Sequence, residues 1–293
     1  MAGRLITGLP KQALKDAVYG ELGWRTMEER REIAKMKFFH RLRTLPDSRL
    51  VKQVFLHRMK EVNKDYKKKS WCNELKDIFS KYGIKHEWTE INVNNKKKLN
   101  VAVWRWWDGN GTKKQPGIKT IVEKKQNELW KHRLMFQEGK DETIVNRVKG
   151  QFYLKCKKKW GEADYINENG NKRGRIWKSR MRASAVPLQA MLKDEHRSNT
   201  DICSLCSSGS REDQQHMLLQ CTAYEKERKI MMDELTRKMS GDALVKQWNC
   251  MESFTVFLLS DSRCDSAVRT FLDSAFTHRY KLIGEKPYFD SEL

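Results

Sequence analysis

Apolar residues recur along this chain at intervals of three and four, the period of helices packed on one face, and sustained alternation is rare. Thr26-Met27-Glu28-Glu29 has the form of a capping box, in which the Thr26 hydroxyl and the Glu29 carboxylate each satisfy a free backbone amide of the other. Behind it, Ala34, Phe38, Leu42 and Leu45 predict an amphipathic helix over 27–44, broken by Pro46-Asp47-Ser48. A second helix is expected to bury Leu50, Val51, Val54 and Phe55. Helical patterns return over 71–81 and 119–136, and 143–160 contains Ile144, Val148, Phe152 and Leu154 beside the run Lys157–Lys159. Three more are expected near 222–239, 242–259 and 265–283. In the last, Val268, Phe271, Leu272, Ala275 and Phe276 form a core-facing stripe. The run Val101-Ala102-Val103-Trp104-Arg105-Trp106-Trp107 fits a short strand or a buried helix end, and its period does not decide between them.

These elements predict a mostly α fold, with a small zinc-binding module and a C-terminal helical bundle. The polar loop Asn167–Asn171 marks a boundary. The expected organisation is a basic helical region at 1–166, a basic helix with a Cys/His module at 172–240, and C-terminal helices at 241–293.

Composition narrows the class. The 293 residues include 39% hydrophobic positions and ten tryptophans, which excludes a disordered basic tail, and five prolines argue against a loop-rich β protein. No apolar run reaches the length of a membrane span, and Met1–Gly8 lacks the apolar stretch of a secretion signal. The expectation is a folded nuclear or cytoplasmic protein.

The formal charge of +21 is unevenly placed. Residues 201–293 carry 12 Lys/Arg and 15 Asp/Glu, leaving 47 basic and 23 acidic residues in 1–200. A surplus this localised points to a polyanion, because cations that neutralise phosphates release condensed counterions. The densest basic stretch lies at 172–182, where Lys172, Arg173, Arg175, Lys178, Arg180 and Arg182 are accompanied by no acid. In a helix there, Arg175, Lys178 and Arg182 share a face and are the expected nucleic-acid contacts. Trp177 beside them is expected to be core, with stacking on a base as the alternative. The runs Lys67–Lys69, Lys96–Lys98 and Lys157–Lys159 are less specific.

Seven cysteines form no obvious disulfide framework. Three of them gather with a histidine as Cys203-x2-Cys206-x9-His216-x4-Cys221. Zinc takes four such ligands in a tetrahedron, and close spacing lowers the entropy cost of assembling them. One structural zinc is expected, with every coordination position filled by protein. Ser210-Arg211-Glu212-Asp213 resembles a helix start. His216 and Cys221, five positions apart, would point about 140° apart on an ideal α-helix, so the helix must distort there. Cys72, Cys156, Cys250 and Cys264 have no ligand partners nearby and are expected to be buried or incidental.

The sequence from Cys203 continues Glu212-Asp213-x2-His216-x-Leu218-Leu219-x-Cys221-x2-Tyr224-x3-Arg228. This resembles the zinc-binding motif downstream of reverse transcriptases in LINE-type (non-LTR) retrotransposon polyproteins. Ile6-Thr7-Gly8-Leu9-Pro10, Gly20-Glu21-Leu22-Gly23-Trp24, Glu29-Arg30-Arg31, Phe38-Phe39-His40-Arg41 and Leu45-Pro46-Asp47-x-Arg49-Leu50-Val51-Lys52 resemble the same polyproteins. The likeness covers both ends of roughly 1–235 in the expected order. It implies the C-terminal portion of an endonuclease–reverse transcriptase, with a Cys/His module that assists RNA or DNA binding, and other parts of a retrotransposon ribonucleoprotein as partners. It does not imply polymerase activity, since the adjacent aspartates that hold two metal ions are absent. No phosphate-binding Gly-x4-Gly-Lys or Gly-x-Ser-x-Gly elbow occurs, so an enzyme is not expected. Alternative readings are a ribonucleoprotein scaffold, using a surface near Met231, Met232 and Met239, and a relic without a function of its own.

Overall fold

The computed structural model describes residues 2–62, 70–84, 117–136, 144–168, 170–239 and 250–284, together with 241, 244, 246 and 248. The Val101–Trp107 segment and the Lys67–Lys69 and Lys96–Lys98 runs lie outside these. The protein is mostly α-helical. The helices are α1 (Ala2–Thr7), α2 (Lys15–Leu22), α3 (Met27–Thr44), α4 (Leu50–Val62), α5 (Trp71–Lys81), α6 (Ile118–Phe136) and α7 (Ile144–Cys156). They continue as α8 (Lys172–Arg182), α9 (Gln189–Asp194), α10 (Glu225–Lys238), α11 (Met251–Ser260) and α12 (Asp265–Ile283). Among the described residues β pairing is confined to two isolated bridges, Leu22 with Glu162 and Ile202 with Arg211. No described helix is long and apolar enough to cross a membrane.

Packing divides the chain elsewhere than at the expected boundary near 166–172. Residues 25–129 form one compact unit, and 1–24 with 130–293 form the other. The N-terminal residues join the second unit because they are built into its core: Leu9, Leu14, Ala17 and Val18 pack with Trp130, Tyr153 and Tyr165.

In the unit of residues 25–129, α3 begins as the sequence predicts. Glu29 N–H donates to Thr26 Oγ1 at 3.1 Å, and Thr26 N–H donates to the Glu29 carboxylate at 2.9 Å. The buried face of α3 differs from the expected one. Ile33, Met36, Phe39 and Leu42 turn inward against Leu75, Ile78 and Phe79 of α5, while Ala34 and Phe38 stay exposed. On α4 only Phe55 of the expected face is buried, together with Met59 and Lys52, while Leu50 (73% exposed), Val51 and Val54 are open. The Lys52 ammonium reaches the Arg43 carbonyl and sits over the Phe55 ring, so its aliphatic stem supplies the apolar surface that the valines were expected to give.

In the other unit, α8 and α12 are the central pair. Trp177 of α8 stacks on Phe276 of α12, ring centroids 3.7 Å apart, and both are fully buried. The approach requires glycine at position 174, where a Cβ would meet the Arg269 carbonyl oxygen at 2.4 Å. The predicted stripe of α12 is buried throughout. Met231, Leu235 and Met239 join the same core from the α10 side.

Candidate metal centre

The Cys/His segment is a short loop followed by a distorted turn. Ile202 bridges Arg211, Cys203 N–H donates to the Ser210 carbonyl at 2.9 Å, and Glu212 N–H donates to the Asp201 carbonyl at 2.7 Å. These bonds close a loop that carries Cys203 and Cys206. Gly209 completes it at φ 65°, a left-handed conformation that favours glycine. The chain then enters a π-helical turn at His216–Gln220, begun by Asp213, whose carboxylate accepts from His216 N–H at 2.9 Å. Asp213, rather than the expected Ser210, therefore holds the start of this turn.

The π turn resolves the spacing problem in the sequence. Cys221 N–H donates to the His216 carbonyl at 2.8 Å, five positions back. Winding at i→i+5 returns residue 221 toward the face occupied by residue 216, which an α-turn would not do.

The four predicted ligands converge as a result. One donor atom from each of Cys203, Cys206, His216 and Cys221 lies within 4.8 Å of all the others. Cys203 Sγ is 3.8 Å from Cys221 Sγ, and Cys206 Sγ is 3.4 Å from His216 Nε2. A tetrahedron with zinc–sulfur bonds of about 2.3 Å and a zinc–nitrogen bond of about 2.0 Å has S···S edges of about 3.8 Å and S···N edges of about 3.5 Å. Two of the six edges match these values and the others lie within 4.8 Å, so the cluster is compact enough that it could hold a metal ion. His216 turns Nε2 toward the sulfurs, while its Nδ1 is buried with no hydrogen-bond partner.

The electrostatics fit a cation as well. Cys203, Cys221 and His216 are buried, and Cys206 is half-buried. Burial pushes the Cys203 thiol up to about 12 and raises that of Cys221 as well. At Cys206 burial acts in the same direction but is outweighed by hydrogen bonds from Ser208, Cys203 and His216, which bring it to about 6. Burial therefore favours the thiol at Cys203 and Cys221 until a divalent ion supplies the compensating charge, whereas Cys206 already favours the thiolate. Three sulfurs and one imidazole are a donor set that could hold a metal ion such as zinc.

The surrounding residues brace the cluster. Glu212, buried in the loop, accepts from Gln189 N–H at 2.8 Å and from the Arg279 guanidinium, and its carboxylate lies 3.6 Å from Cys203 Sγ. Arg228 closes the other side, donating to the Leu218 carbonyl at 2.9 Å and the Cys221 carbonyl at 2.5 Å. Arg279 escaped the sequence reading because it lies on α12, far from the cysteines. Only the buried acid in the loop hints that such a partner exists.

The expected nucleic-acid face of α8 is not a surface. Lys178 (1% exposed) is ion-paired with Asp265. Arg182 (5%) lies 3.3 Å from Glu21, which also accepts from Tyr165 at 2.5 Å. Arg180 donates to the Gly8 carbonyl at 2.7 Å. Arg175 reaches the Ile166 carbonyl, and Arg173 pairs with Asp273 at 3.2 Å. Of the six residues, only Lys172 and Arg173 are exposed. The correction has a simple cause: α8 lies between α12 and the N-terminal segment, and a charge buried there is stable only with a partner.

No protein-family model, curated protein or solved structure matches this chain.

Proposed function

We propose that this protein is a non-catalytic, zinc-stabilised nucleic-acid-binding module, derived from the region that follows the polymerase in a LINE-type reverse transcriptase polyprotein. The observation that carries the reading is the convergence of Cys203, Cys206, His216 and Cys221, whose donor atoms all lie within 4.8 Å of one another. The charge surplus in residues 1–200 supports RNA or DNA as the partner. A nuclear or cytoplasmic location and a place in a retrotransposon ribonucleoprotein follow from the same reading. The alternative scaffold reading keeps less support, since Met231 and Met239 are buried in the core and Met232 is half-buried.

The test is purification of the full chain with metal analysis, followed by titration of labelled RNA and DNA. About one zinc per chain is expected. Affinity should fall by roughly three orders of magnitude between about 50 mM and about 200 mM salt if six or more phosphates are contacted. Binding that ignores salt, or no binding at low salt, contradicts the reading.

A further inference from the structure

With α8 buried, the cationic surface must lie elsewhere, and the exposed face of α3 is the strongest candidate among the described residues. At about 100° per residue, Arg30, Lys37 and Arg41 fall within about 40° of one another around the helix, with the small Ala34 between them. All four positions are exposed. From Arg30 to Arg41 the row runs about 16 Å. Arg30, Arg31 and Arg41 engage no carboxylate among the described residues. The acids of α3 are held away from the row. Glu29 closes the capping box, Glu32 is buried against Lys81 and Tyr82, and Glu28 lies 3.6 Å from Lys81.

Beside this row runs a second one with a different chemistry. Arg31 and Phe38 share it, one position round the helix from Arg30 and Lys37. Phe38 is 49% exposed, and its ring is steadied edge-on by Trp71 of α5, centroids 5.8 Å apart. A row of cations beside a fixed, open aromatic ring is the arrangement that binds single strands: the cations track the phosphates while a base stacks on the ring. A duplex offers phosphates but keeps its bases stacked on one another.

We infer that the Arg30–Lys37–Arg41 face of α3, together with Arg31 and Phe38, is a single-stranded nucleic-acid-binding surface. The inference rests on the proposed nucleic-acid function and gives it a location and a substrate form.

The test uses the full chain and fluorescein-labelled oligouridine of about 20 nucleotides, with a DNA duplex of the same length for comparison. The triple variant Arg30→Glu, Lys37→Glu, Arg41→Glu is measured against a charge-matched control in the other unit, Lys226→Glu, Lys229→Glu, Arg237→Glu, all exposed on α10. At about 0.7 per phosphate contact, losing three contacts should lower the slope of log affinity against log salt by about 2, with the control slope unchanged. Phe38→Leu keeps an apolar contact with Trp71 but removes the ring. It should weaken oligouridine binding by about tenfold without changing the slope or duplex affinity. If wild-type protein binds but the triple variant and its control behave alike, the surface is wrong and the function stands. An unchanged Phe38→Leu affinity overturns the single-strand assignment. Failure of the wild type to bind at low salt removes both the function and this surface.

Discussion

Glu212 and Arg279 face each other in a buried two-point ion pair, with Nη2 3.0 Å from Oε2, across 67 positions of sequence. One member sits in the cysteine loop and the other on α12. Burial opposes the Arg279 charge, but Glu212 and Tyr224 outweigh it and hold the guanidinium firmly protonated. The metal centre is thus tied to the central helix by a link that does not involve the metal.

Breaking this pair should loosen the site. Arg279→Met leaves the Glu212 carboxylate buried without its partner, and is expected to destabilise the protein by about 3–5 kcal/mol in urea unfolding. Zinc affinity, measured by competition with a chromophoric chelator, should fall at the same time, because Glu212 also holds Gln189 N–H beside the cysteine loop. Arg279→Lys should recover only part of the loss, since an ammonium cannot reproduce the two-point contact.

Removing ligands should abolish zinc retention. Cys206→Ser and His216→Ala are each expected to reduce bound zinc from about one per chain to a small fraction after dialysis, with a lowered melting temperature. Cys250→Ser is the control. It is an exposed thiol at the start of α11 and should retain the wild-type metal content.

The Lys178–Asp265 pair should behave asymmetrically. Burial lowers the Lys178 pKa and raises that of Asp265, so for each partner desolvation outweighs the attraction. Asp265→Asn, which strands a buried ammonium, is expected to cost about 3–5 kcal/mol. The double change Lys178→Met with Asp265→Leu should restore most of that stability, as urea unfolding midpoints will show.

At α3, Thr26→Ala should cost about 1 kcal/mol by removing the hydroxyl that accepts from Glu29 N–H. Thr26→Ser should be nearly neutral. Thermal melts of the three proteins compare the two effects.

Local signals in the sequence located most of these features. The Thr26–Glu29 box placed the start of α3, the stripe on α12 gave its buried face, and Cys-x2-Cys with His-x4-Cys gave the four side chains that come together. The five-position gap even required a distortion, and the π turn supplies it. What the sequence hid was pairing over distance. Nothing near Lys178 or Arg182 announces Asp265 or Glu21, so six cations without a neighbouring acid looked like a solvated face. The α4 pattern failed for a related reason. Lys52 buries its stem and reaches a carbonyl, while three apolar neighbours remain exposed, and hydrophobicity alone ranks those positions the other way. Asp213 displaced Ser210 as the cap because the Ser210 carbonyl accepts from Cys203 N–H and Glu212 N–H donates to the Asp201 carbonyl, which holds 210–212 in the loop.

The proposed zinc centre is most directly tested by X-ray absorption at the zinc edge of the purified full chain. A single zinc with three sulfur neighbours at about 2.3 Å and one nitrogen neighbour at about 2.0 Å is the expected result. A chain that carries no zinc after preparation in zinc-containing buffer, or a shell of oxygen atoms in place of the three sulfurs, would contradict it.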